Sequence, residues 1–117
     1  MVDGWQADAY RGAVALDVIL DALASEPRRQ IVARLSAGPL PTPELGRRFG
    51  FTKQALSKHI AILEGAGLVR RTVRGRVHDL TLVRTPLTEV TGWLAEVERG
   101  WQASLDRLDE VLRSTDG

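Results

Sequence analysis

Two segments of helical periodicity in this chain are separated by only three residues, Gly50, Phe51 and Thr52. That spacing constrains the fold more than any other feature. The first segment, Pro43 to Phe49, follows Thr42, carries proline in its opening turn and has glycine just past its end, the places where each residue type favours a helix boundary. The second, Lys53 to about Ala66, opens behind Thr52, whose hydroxyl can accept a first-turn N–H, and closes at Gly65 and Gly67. A three-residue joint between a short helix and a longer one predicts a helix-turn-helix rather than a long hairpin.

The flanking segments extend this pattern. A first helix is expected over about Tyr10 to Ala24, where Ala13, Leu16, Leu20 and Leu23 recur at steps of three and four. Ser25 is placed to cap a second, with Glu26 and Pro27 in its first turn, Ile31, Val32 and Leu35 inside and Gly38 as its stop. Gly38, Pro39 and Pro41 then predict a stiff turn. Beyond Gly67 the period changes to two. Leu68 to Val73 and Val77 to Val83 alternate apolar with polar or basic residues around Arg74-Gly75-Arg76, which reads as a two-stranded ribbon with Arg70, Arg71, Arg74 and Arg76 towards its tip. From Leu87 to about Arg113 one long helix is expected, with Val90, Leu94, Val97, Trp101, Leu105, Leu108 and Leu112 on one stripe and Trp93 beside them. The fold class is therefore mainly α with a small β ribbon, a winged helix-turn-helix. At 117 residues the chain has one core. It reads as a single domain over 1–117, with the helix-turn-helix at about 43–66, the wing at about 68–83 and terminal helices at about 10–24 and 87–113.

A formal charge of +1 hides a partition along the chain. From Arg28 to Arg84 twelve basic residues face three acids, a block of +9, and the two ends together carry −8. A basic block inside a small domain is either the electrostatic footprint of a polyanion or a solvated face. On a helical wheel at about 100° per residue, Leu56, Ile60 and Leu63 cluster, with Ala55, His59 and Ile62 on the same flank. The opposite face holds Gln54, Ser57, Lys58, Ala61 and Gly65. It is polar, short and nearly free of acid, which suits a DNA major groove about 12 Å wide. Gln54 can pair with adenine, Lys58 with guanine or phosphate, Ser57 with either, and Ala61 can touch a thymine methyl. The chain's two lysines, Lys53 and Lys58, both fall in the N-terminal half of this helix, where N–H groups and the dipole already favour phosphate. Arg74 and Arg76 can follow the backbone or enter a minor groove, or simply keep an edge ribbon soluble.

Other chemistries find little support. With no cysteine, neither a disulfide nor a thiolate metal site can form within this sequence. The two histidines, His59 and His78, are 19 residues apart without paired carboxylates, so no metal ligands and no cofactor are assigned. There is no glycine-rich phosphate loop and no G-x-S-x-G, so no catalytic residue is assigned and no enzyme is expected. Asp3 stands where a secretory signal carries positive charge, and no apolar run approaches a membrane span; a cytoplasmic protein without membrane contact is expected. The long last helix holds more apolar surface than one small domain needs. Trp93, Val97, Trp101, Leu105 and Leu108, joined by Trp5 and Tyr10, are read as a subunit interface of a homodimer. Packing of the last helix on the first is the simpler use of the same residues.

These residues resemble the ArsR/SmtB family of bacterial winged-helix repressors over roughly Leu20 to Leu112. The resemblance rests on Leu23-Ala24, Arg28-Arg29-Gln30-Ile31, Pro43-Glu44-Leu45-Gly46, the run from Lys53 to Val69 with Ser57, His59, Leu63 and Ala66-Gly67-Leu68-Val69, and Arg74-Gly75-Arg76. It implies a DNA-recognition helix with contacts from Thr52, Gln54, Ser57, Lys58 and His59, and from Arg74 and Arg76 on the wing. Metal-sensing members carry cysteines in the third helix, where this chain reads Glu44-Leu45-Gly46-Arg47-Arg48, or Asp and His ligands along the last helix, where it has Asp106, Asp109 and Glu110 but no histidine. It looks like the metal-independent subgroup, often autorepressors. The function implied is a sequence-specific DNA-binding regulator, a repressor or autorepressor that binds a pseudo-palindromic operator in double-stranded DNA as a homodimer, with an effector of unknown chemistry left open. The alternative is a winged-helix module that binds a protein or small ligand without reading DNA.

Overall fold

The computed structural model describes residues 15–116, beginning in a helix, α1 (residues 15–22). It continues through α2 (Glu26–Leu35), β1 (Leu40–Pro41), α3 (Thr42–Phe49), α4 (Lys53–Gly65), β2 (Val69–Arg74), β3 (Val77–Leu82) and α5 (Thr85–Asp116). Trp5 and Tyr10 lie outside the described residues, as does the start of the first expected helix. Where it is described, that helix closes at residue 22 rather than at Ala24.

Local chemistry sets the boundaries. The Ser25 hydroxyl accepts the Arg28 N–H at a long 3.5 Å, while its carbonyl accepts from Arg29 N at 2.9 Å. α2 ends at Leu35, before the Gly38 stop expected for it. α3 includes Thr42, with Pro41 preceding it and no side-chain cap. The Thr42 hydroxyl instead donates to the His78 carbonyl at 3.0 Å, which ties the start of α3 to β3. Gly50 adopts a φ of 68°, a left-handed conformation that glycine enters without a Cβ penalty, and its N–H closes α3 on the Gly46 carbonyl at 3.0 Å. Thr52 caps α4 by accepting the Ala55 N–H at 3.1 Å.

A third strand corrects the expected two-stranded ribbon. Leu40 and Pro41 pair antiparallel with Leu80 and Asp79, giving the order β1-β3-β2. Two residues carry no readable alternation, and proline is tolerated there because β1 is an edge strand. In the hairpin, Arg74 pairs with Val77, so Gly75 and Arg76 alone form the turn. Gly75, at φ 64°, takes the position a type II′ hairpin turn gives to glycine.

The core is built from every layer: Ile31 of α2, Leu45 of α3, Ile60 and Leu63 of α4, Leu68 before β2 and Leu80 of β3 are fully buried, with Ile19 and Ala22 of α1 beside them. Of β2 only Val69 is buried. The ribbon projects beyond the core, which leaves Val73 61% exposed despite its place in an alternating strand. Among the described residues, α5 packs against the core through its first turns, at Leu87 and Val90. The 32-residue helix, about 48 Å long at about 1.5 Å per residue, then leaves the body. Trp93, Leu94, Val97, Trp101, Leu105, Leu108, Val111 and Leu112 are all exposed, Trp101 at 66%. Among the described residues no helix is long and apolar enough to cross a membrane.

Candidate nucleic-acid interface

α4 presents the two faces that its wheel predicts. Leu56, Ile60 and Leu63 are buried, and Thr52, Lys53, Gln54, Ser57, Lys58 and Ala61 are exposed. Four of the expected contacts, Gln54, Ser57, Lys58 and Lys53, therefore share one solvent-facing surface of about two turns. Glu64 is the one acid on α4, and it is held at the wing-facing flank by Arg71 of β2 at 2.8 Å.

His59 does not join that surface. It is half-buried on the side towards α2, with its ring 5.6 Å from that of Phe51 and its Nδ1 3.5 Å from Arg28 Nη1. Burial, then Arg28, then Lys58 push its pKa below the ordinary histidine value. Arginine can only donate, so Nδ1 is the acceptor and the neutral ring carries its proton on Nε2.

The basic block proves to be three populations. Arg28 donates from Nε to the Ala22 carbonyl at 2.6 Å and from Nη2 to that of Asp21 at 3.3 Å, and Arg29 reaches the Leu23 carbonyl at 2.8 Å. These two cap the end of α1, where the last carbonyls run short of intrahelical donors; the Asp21 carbonyl also accepts the Ala24 N–H at 3.1 Å. Each acid of the block then engages one arginine: Glu44 with Arg47, Glu64 with Arg71, and Asp79 with Arg74 at 3.1 Å. The third population, Arg34, Arg48, Lys53, Lys58, Arg70, Arg76 and Arg84, makes no ion pair among the described residues.

The wing combines the second and third populations. Arg74 and Asp79 form a diagonal pair on one face of the ribbon, and the Asp79 hydrogen bond and charge raise the Arg74 pKa further. On the other face Arg71 bridges Glu64 and, at 3.2 Å, Nδ1 of His78. Arg70 and Arg71 pair with Thr81 and Leu80 at the base of the ribbon. The expectation of four arginines at the tip is thus corrected to two, Arg74 and Arg76, because Arg71 lies three residues, about 10 Å, back from Arg74 along the strand.

Between α3, the start of α4 and the ribbon opens a cleft of about 810 Å³, which the sequence pattern did not reveal. Phe51, Leu56 and Val77 supply apolar walls, and Lys53, Arg76 and His78 are among its polar lining. Only the register of the ribbon brings residues 76 to 78 opposite residue 53. Among the described residues no group of three or more acidic or histidine side chains is gathered closely enough to hold a metal ion.

A short helix, a sharp glycine-closed turn, a longer helix with one exposed polar face and a basic ribbon define a winged helix-turn-helix protein. Residues 23–72 match the model of a helix-turn-helix domain family. The chain is 32% identical over 93 residues to the HTH-type transcriptional regulator Rv2034 of Mycobacterium tuberculosis, covering 80% of this chain and 84% of the relative. Among solved structures it is similar to an ArsR family transcriptional regulator, RHA00566, with a TM-score of 0.72 and 37% identity over 77% of this chain and 93% of the other. It is similar also to HlyU of Vibrio cholerae, with a TM-score of 0.62 and 30% identity over 73% of this chain and 92% of that one. The chain belongs to the ArsR family of transcriptional regulators. It is a DNA-binding regulator of the helix-turn-helix type.

Proposed function

We propose that this chain is a single-domain, sequence-specific repressor that binds a pseudo-palindromic operator as a homodimer and works without a metal. The observation that carries the reading is the exposed face of α4, where Gln54, Ser57 and Lys58 stand free of acid beside a ribbon that ends in Arg76. Gln54 and Ser57 read base edges, Thr52, Lys53 and Lys58 hold the phosphates at the helix start, and Arg74 and Arg76 follow the neighbouring backbone or minor groove. Arg74 is already paired with Asp79, so Arg76 is the stronger wing contact. His59 acts by positioning α4 against α2.

The exposed face of α5 supports the dimer. Trp93, Val97, Trp101, Leu105 and Leu108 recur at steps of four and three, so one helix face carries an exposed apolar stripe several turns long. A second copy of that stripe is its natural cover, with Trp5 and Tyr10 as further candidates for the same surface. Two copies of α4 then meet successive major grooves, with half-sites about 34 Å, or one turn of DNA, apart.

Fluorescence anisotropy with DNA from the chain's own upstream region tests the reading. The logarithm of affinity is expected to fall linearly with the logarithm of salt, with a slope of about −0.9 per phosphate neutralised. Gln54→Ala and Ser57→Ala should lose discrimination between operator and random DNA, whereas Arg76→Gln weakens both alike. Equal effects of the two sets would reverse the assignment of helix and wing. In sedimentation, Trp101→Glu is expected to shift the chain from dimer to monomer; a monomeric parent chain at micromolar concentration sinks the dimer.

A further inference from the structure

We infer that the cleft between α3, the start of α4 and the ribbon is a binding site for a small amphipathic carboxylate, one whose occupation releases DNA. The inference rests on the DNA reading above for its consequence, though not for the binding itself.

The cleft has the size and lining of a ligand site. Its volume of about 810 Å³ lies within the roughly 300–1,000 Å³ usual for small-molecule pockets. The walls that Phe51, Leu56 and Val77 provide are apolar, and among the described residues no acidic side chain lines the cleft. Cations stand at its edge. Arg47 and Arg71 are already engaged by Glu44 and Glu64, whereas Lys53 and Arg76 have no ion-pair partner among the described residues. Because Arg71 donates to Nδ1 of His78, a neutral His78 ring keeps its Nε2–H as a further donor for an anion.

This combination selects the class of ligand. A bare phosphate would satisfy Lys53 and Arg76 and gain nothing from the apolar walls. A neutral aromatic would fill the walls and leave both cations unanswered. A planar aryl group with one carboxylate answers both, burying its body against Phe51 and Val77 and its charge near Lys53 and Arg76.

The consequence for DNA lies in shared charge. Lys53 and Arg76 line the cleft and also belong to the proposed phosphate contacts. A carboxylate that draws on them lowers the affinity for DNA, and by linkage DNA lowers the affinity for the carboxylate by the same factor. A regulator without cysteine has no thiolate to oxidise or to metallate, and this cleft supplies a release mechanism that needs neither.

The test uses 2-naphthoate as probe, with 2-naphthalenemethanol and inorganic phosphate as controls at matched ionic strength. In a nitrogen-15 NMR titration of the full chain, naphthoate is expected to saturate with a Kd on the order of 1 mM. The largest shifts should fall on the amides of Gly46, Phe51, Lys53, Val77 and His78. The alcohol, phosphate and the variant Val77→Glu, which introduces a carboxylate into the cleft, should each bind at least roughly tenfold more weakly, the variant's fold being checked by circular dichroism. At about ten times its Kd, naphthoate should then raise the apparent Kd for upstream DNA by at least roughly tenfold, since each copy in the dimer carries one cleft. Shifts confined to α5, equal binding of the alcohol, undiminished binding to Val77→Glu, or naphthoate and DNA bound together without mutual weakening would each overturn the proposal. Absence of DNA binding without any probe would instead remove the DNA reading, and the NMR titration would still decide the cleft.

Discussion

Arg71 of β2 donates to Glu64 of α4 across 2.8 Å and so fastens the projecting ribbon to the flank of the exposed helix. Both side chains are 34% exposed, which limits the pair to about 1 kcal/mol of stability or less. Its larger effect is geometric, since the distance between helix and wing decides whether both reach one stretch of DNA. Glu64→Gln is expected to cost at most about 1 kcal/mol in urea denaturation. It also removes the only acid of α4. Affinity for random DNA should rise severalfold, and the ratio of operator to random binding should fall. A variant with unchanged discrimination would show that the wing needs no such tether.

Arg28 and Arg76 belong to the same basic block and should behave as opposites. Arg28 spends its donors on the carbonyls of Asp21 and Ala22 at the end of α1, whereas Arg76 stands exposed in the two-residue turn. Arg28→Gln is therefore expected to destabilise the fold by about 1–3 kcal/mol, as hydrogen bonds from a charged donor are lost. The salt dependence of its DNA binding should hardly change. Arg76→Gln should leave stability within about 0.5 kcal/mol and reduce the salt slope by about 1. Thermal melts and a salt titration on both variants decide it; a reduced slope for Arg28→Gln would return that residue to the DNA surface.

The contrast between these arginines marks where sequence reading stops. Thr52, Gly50 and the Leu56, Ile60 and Leu63 spacing carry their meaning locally, through a cap, a left-handed turn and a buried stripe, and all three are found as read. The two faces of α4 were legible for the same reason. Arg28 was legible only as a charge, because its partners are carbonyls that no residue type announces. β1 escaped because Leu40 and Pro41 gain their strand character from Leu80 and Asp79, almost forty residues away. The same dependence on register hid the cleft, whereas the turn around Gly75 was legible; Arg70 and Arg71 fall short of the tip because each strand residue adds about 3.3 Å between them and the turn.

Leu63 tests how far the interface depends on the core beneath it. It is fully buried on the inner side of α4, one turn from Ile60, among side chains from α2, α3 and β3. Leu63→Ala is expected to cost about 2–5 kcal/mol, a large share of the roughly 5–15 kcal/mol that holds a small domain together. DNA binding should fail through loss of the folded population. At a temperature where the variant remains folded by circular dichroism, its affinity should return to within about twofold of the parent, a difference of about 0.4 kcal/mol; a persistent defect would assign Leu63 a part in orienting α4.

His59 links the core to pH. Its Nδ1 lies against Arg28 of α2, with Lys58 next to it on α4, and burial, followed by the two cations, disfavours the imidazolium. The folded chain therefore binds this proton less readily than the unfolded chain, whose histidine titrates near 6.5. Where the unfolded state holds more protons, stability rises with pH. The contribution of His59 is fully present above the unfolded value. It is lost as pH falls through that value towards the lowered folded one, below which the loss levels off. His59→Gln keeps an acceptor for Arg28 and removes the titration. Between about pH 7.5 and pH 5.5, the urea midpoint of the parent should fall further than that of His59→Gln. Parallel declines would assign the acid sensitivity to other groups and leave His59 as packing against Phe51 alone.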